Sequence, residues 1–152
     1  RKKIDLILID SGFKPTYQLG VEHGVSETWE KNSLILFIGF NQFSCWAKWG
    51  EVGVANAGTA TEQLVGLGIP CISLPGKGHQ FNFNFAKRQS RLLGGAVALA
   101  KGYETLAKQV SFLLNSDFDR EIIGLRGSKR MGPEGGSSAI ALSISTYLSE
   151  GL

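Results

Sequence analysis

The chain has 152 residues, 43% of them apolar and 19% charged, with a net charge of +3 from 16 basic and 13 acidic groups. That length holds one well-buried core, so residues 1–152 are read as a single domain, and the balance excludes a disordered chain. No apolar run approaches the roughly 20 residues of a bilayer span, and no signal-peptide core follows the charged start, so a soluble, cytoplasmic protein is expected.

Taken in order, residues 4–9 (IDLILI) form a strand candidate followed by the turn chemistry of Asp10-Ser11-Gly12. Residues 13–33 carry no readable pattern. Residues 33–38 (SLILFI) lack polar alternation, as a parallel strand covered on both sides would. Asn41 is placed to cap a helix over 42–48 that buries Phe43, Trp46 and Ala47.

Residues 49–80 organise the rest. A short apolar strand over 52–55 runs into Asn56-Ala57-Gly58, where glycine permits a tight reversal. A helix is expected from Thr59, because Thr59-Ala60-Thr61-Glu62 matches the capping box. Gly68 falls where a left-handed cap belongs, Ile69-Pro70 forbids further helix, and residues 71–74 suit a strand buried on both faces. Pro75-Gly76-Lys77-Gly78 then forms a loop at the same edge of the sheet as the Gly58 turn, so two sets of backbone amides face one crevice.

Beyond it, a helix from Asn82 or Asn84 to Leu93 ends at Gly94-Gly95, and residues 96–99 make another strand. Residues 103–114 are amphipathic, with Leu106, Val110, Leu113 and Leu114 on one stripe. A helix over 118–130 follows Asn115-Ser116-Asp117, residues 132–136 break the chain, and Ser137 or Ser138 caps a last helix over 139–148 with Ile140, Ile144, Tyr147 and Leu148 on its inner side. Strands alternating with helices at this spacing imply right-handed crossovers and an α/β, doubly wound, Rossmann-like parallel sheet.

AGTATEQLVGLGIPCISLPGKGHQ, with the later RLLGG and RMGPEGGSSAIALSI, resembles the carboxyl-terminal half of two-domain GT-B glycosyltransferases. Within them it looks most like the lipid-A-disaccharide synthase-related group, and more distantly like the peptidoglycan lipid-linked N-acetylglucosaminyltransferases. The resemblance covers residues 34–150. It implies a domain that binds a UDP-sugar donor as substrate, and an amino-terminal acceptor domain elsewhere in the polypeptide. By this resemblance Gly58, Thr59, Ala60 and Thr61 meet the donor diphosphate, and Glu62 grips the ribose. Ile38, Gly39 and Phe40 match the segment whose backbone reads the base, while Gly76, Lys77, Gly78, His79 and Gln80 face the transferred sugar. Many relatives place asparagine three positions after the loop glutamine; here Gln80 is followed at that interval by Phe83, between Asn82 and Asn84.

The implied function is the donor half of an inverting transferase acting on a lipid-linked or similar acceptor, with peripheral membrane contact in the full-length protein. A nucleotide-sugar epimerase half, and a binding module without transfer activity, are the alternatives. Met131 is the only methionine and the chain opens at Arg1, so a fragment of a longer polypeptide is expected, one not active alone.

Plainer readings stand beside these. Gly58 could serve close packing of helix on strand, Glu62 could cap its helix, and Lys77 could be a solvated loop lysine. His79 has no carboxylate partner in sequence, which favours hydrogen bonding to substrate or simple exposure over proton transfer. His23 is given no role. Cys45 and Cys71 are read as small buried hydrophobes, and no metal-ligand spacing or cofactor motif exists. The aromatic and basic residues of 79–91 suit core packing with Phe81 and Phe85 on one face, so no nucleic acid is expected.

Overall fold

A computed structural model describes residues 2–16, 24–78 and 81–150. The chain divides into two compact units, Arg1–Trp49 and Gly50–Leu152.

The first unit begins with a helix, α1 (Lys2–Asp10), where a strand was expected over 4–9. A six-residue run, apolar apart from Asp5, fits either state by periodicity. A helix satisfies its backbone within the segment, whereas a strand needs a partner edge. The amide of Phe13 donates to the Leu8 carbonyl at 2.9 Å and closes the last turn. Strands β1 (Lys14–Thr16), β2 (Val25–Lys31) and β3 (Leu34–Gly39) then pair in that order, antiparallel throughout. Lys31 lies opposite Leu34, which leaves Asn32-Ser33 as a two-residue hairpin loop with Asn32 at φ +54°, a conformation asparagine tolerates. The strand expected over 33–38 therefore exists, but in a hairpin rather than a parallel sheet, and Leu34, Ile35 and Phe37 are exposed. Trp29 and Thr28 are the buried residues of β2, and the Trp29 indole donates to Glu27 Oε2 at 3.1 Å.

Asn41 caps nothing, since its own φ is +59° and Gln42 occupies the N-cap position without a side-chain bond. The helix expected over 42–48 shortens to α2 (Phe43–Trp46) and tightens into a 3₁₀ turn, Ala47–Trp49. Of its expected buried residues Ala47 is buried and Phe43 exposed, as is Cys45, contrary to the expectation for that thiol.

The second unit is α/β. Three parallel strands, β4 (Gly53–Val54), β5 (Cys71–Ser73) and β6 (Val97–Leu99), lie in sequence order. They are joined through α3 (Gly58–Gly66) and α4 (Phe83–Leu92). The sheet is smaller than expected because the two amino-terminal segments do not enter it. Successive side chains of a strand point to opposite faces, and two apolar clusters result. Cys71 and Val97 pack with Val65, Leu93 and Ala96; Ile72 packs with Ala100 and Leu113, joined by Leu106 and Val110 of α5 (Tyr103–Leu114). Helices thus cover both faces.

Two of the expected helix ends hold here. Asn82 caps α4 by accepting from the Phe85 amide at 2.9 Å, and Gly68 adopts φ +81° after α3. Helix α6 (Asp117–Met131) is capped by Ser116 and packs on α3 through glycines. A Cβ on Gly124 would stand 2.0 Å from the Gly68 carbonyl oxygen, so only glycine permits that approach. Arg120 donates to the carbonyls of Leu113 and Leu114 at 2.6 and 2.9 Å and so closes the end of α5. The last helix, α7 (Gly136–Glu150), buries none of its residues. Ile140, Ile144, Tyr147 and Leu148, expected on an inner side, are exposed. An apolar stripe specifies a face, not the surface that covers it.

Candidate functional site

Parallel pairing brings the carboxyl ends of β4 and β5 side by side, with Gly53 opposite Cys71 and Val54 opposite Ile72. The turn after β4 and the loop after β5 therefore lie at one edge, where ligands of open α/β sheets bind. Two polar contacts tie them together. Ser73 Oγ donates to the Ala55 carbonyl at 2.7 Å, and the Leu74 amide donates to Asn56 Oδ1 at 2.8 Å.

Helix α3 starts at Gly58, two residues earlier than the capping box predicts. Its N-cap is Ala57, in an extended conformation and without a side-chain cap. Glu62 therefore sits two positions too far along to reach back to the cap amide, and the box does not form. Gly58, Thr59 and Ala60 supply the first-turn amides, with no acidic side chain among them. Such a start carries about half a positive charge and favours an anion. Thr61 faces the other way. It is fully buried, and its hydroxyl donates to the Ala57 carbonyl.

Gly58 is not required by packing. Among the described residues no side chain or distant backbone atom lies within 4 Å of where its Cβ would stand, and its φ lies outside the left-handed region. Gly78 is equally open. In the second loop the Gly76 amide is already committed, donating to the Phe81 carbonyl at 3.0 Å. Its role is to close the loop. Lys77 and Glu62 are exposed.

Gln89 was not singled out from the sequence. It lies on α4, 4% exposed, and its Nε2 donates to the Gly58 carbonyl at 3.1 Å across 31 residues of chain. Its Oε1 is buried without a partner among the described residues. The one sequence signal was a polar residue at the inward spacing of Ala86, three positions earlier.

His79 and Gln80, like His23, lie outside the described residues. Ile38 and Phe40 belong to the first unit and Gly58–Gly78 to the second. Among the described residues no group of three His, Cys, Asp or Glu is placed to hold a metal ion, and no helix is long and apolar enough to cross a membrane. The chain matches no family model, no curated protein and no solved structure.

Proposed function

We propose that this chain is the donor-binding half of an inverting GT-B glycosyltransferase, its parallel sheet part of a doubly wound domain that takes a UDP-sugar. The observation that carries the reading is the open, uncapped first turn of α3 at Gly58, a glycine that neither packing nor backbone conformation requires. A glycine of this kind is accounted for by a ligand that approaches the backbone closely. The neighbouring loop with Lys77 adds positive charge at the same sheet edge.

In this reading the diphosphate rests against the Gly58, Thr59 and Ala60 amides. Charge develops on it as the anomeric carbon is displaced by the acceptor oxygen. Prearranged amide dipoles, with Lys77, stabilise that charge without reorganising. Glu62, released from capping, is available to accept from the ribose hydroxyls. The base that deprotonates the acceptor belongs to the other half of the enzyme.

Calorimetric titration with UDP, UDP-N-acetylglucosamine and ADP tests the proposal. Binding of both uridine compounds with little response to ADP is expected. Indifference to all three overturns it.

A further inference from the structure

Two basic groups that lie apart in the sequence adjoin in the fold. Residues 63–103 contain no Asp or Glu, and within them Lys87, Arg88 and Arg91 fall on α4. Ala86 and Gln89 are the buried residues of that helix, so helical spacing puts the three cations on its outer face, where all are exposed. The second group, Arg126, Lys129 and Arg130, closes α6, whose carboxylates Asp117, Asp119 and Glu121 lie at its other end. The Arg130 Nε donates to the Leu92 carbonyl at 2.9 Å across 38 residues of chain. A Cβ on Gly94 would stand 3.5 Å from Arg130 Cβ and 3.6 Å from Arg126 Cγ, so both stems run over the turn that ends α4.

Of the six cations only Arg130 is committed within the fold. Lys87, Arg88, Arg91, Arg126 and Lys129 form no hydrogen bond or ion pair among the described residues. Leucines interrupt this surface. Leu92 ends α4 beside Arg91, and Leu125 lies one turn before Lys129 on α6. Leu67 ends α3 beside Gly68, against which Gly124 of α6 packs. Each of the three is more than half exposed. Unpaired charges of one sign attract an anionic partner, whereas exposed leucines gain only from a partner that offers an apolar layer as well. An anionic bilayer supplies both, headgroup phosphates for the cations and the acyl boundary for the leucines. A nucleic acid would satisfy the cations alone. We propose that the face formed by α4 and α6 docks on a membrane surface rich in anionic phospholipid. The carboxyl end of α4 leads into the amino end of β6, so this face is separate from the diphosphate edge and does not rest on the glycosyltransferase reading.

Co-sedimentation of the full chain with vesicles tests it. Binding to phosphatidylcholine mixed with phosphatidylglycerol is expected, with little to phosphatidylcholine alone, and release as salt screens the charges. Lys87→Gln, Arg91→Gln and Lys129→Gln together remove three exposed, unpaired cations and should weaken binding about a hundredfold. Lys14→Gln, Lys48→Gln and Lys101→Gln remove the same charge elsewhere and should bind nearly as the unsubstituted chain does. Leu92→Ser with Leu125→Ser should weaken binding while leaving it salt-sensitive. Three results overturn the proposal: equal binding, or none, to the two vesicle compositions; equal losses in the two triple variants; or leucine substitutions without effect, which would assign the face to a polyanion with no apolar layer. The first needs no variant, so a poorly folding variant leaves the test intact.

Discussion

The Gln89 carboxamide, on the helix after β5, donates to the Gly58 carbonyl, on the first turn of the helix after β4. One buried side chain therefore ties the two βα units at the edge where their loops meet. A rigid first turn keeps its amides aimed, which is what prearranged anion binding requires.

Removing that tie should register in both stability and binding. Gln89→Ala leaves a cavity and an unmatched carbonyl, with an expected loss of about 1–3 kcal/mol in urea unfolding. Gln89→Leu removes the unpartnered oxygen as well and keeps the volume, so its loss should be smaller. UDP affinity should fall in both. Unchanged UDP affinity in the two variants would mean that the tie is structural only.

Gly58→Ala separates packing from function. Among the described residues no side chain or distant backbone atom lies within 4 Å of the added methyl, and the backbone conformation suits alanine. Stability should hold or rise by up to about 1 kcal/mol, through the unfolded chain's lost freedom. UDP binding should weaken, because the methyl intrudes where the phosphate approaches. A stability loss without a binding loss would assign the glycine to the fold.

Glu62→Ala makes a complementary case. Because Ala57 is the N-cap, Glu62 closes no capping box, so its removal should change unfolding free energy by no more than about 0.5 kcal/mol. Calorimetry should nonetheless show weaker UDP binding. Affinity equal to that of the unsubstituted chain removes the ribose role.

The two thiols should behave oppositely. Cys45 is exposed and Cys71 buried, and burial pushes the Cys71 thiol up from 9.0 to about 12. Iodoacetamide at mildly alkaline pH should label Cys45 in the folded protein and reach Cys71 only after denaturation. Between those two values the unfolded chain releases a proton that the folded chain keeps. The Cys71 contribution is therefore intact below pH 9 and is lost as pH rises toward 12. Unfolding curves at pH 8 and pH 10 should diverge less in Cys71→Ala; equal divergence would show that other groups govern the alkaline loss.

From Gly50 onward, most of the second unit was legible in the sequence. Residues 103–114 were bounded correctly, a helix was placed from Asn82 or Asn84, and Gly68 was foreseen as a left-handed terminator. Each is set by neighbours within a few positions: a stripe at helical spacing, an acceptor before a helix, a glycine before Ile69-Pro70. Placing the Gly58 and Lys77 loops at one sheet edge followed from the strand, helix, strand order, which the parallel pairing of β4 and β5 bears out.

Long-range partners decided the rest. Residues 4–9 became helix, and residues 33–38 joined a hairpin through Asn32-Ser33, because an apolar run does not carry the identity of what it will pair with. The capping box at Thr59 was a valid local pattern that lost to a helix start at Gly58, the residue whose carbonyl Gln89 holds from 31 positions away. Local physics wrote the ends of these helices into the chain. Which backbone groups are taken and which are left open depends on contacts between distant residues, and only the folded chain settles them.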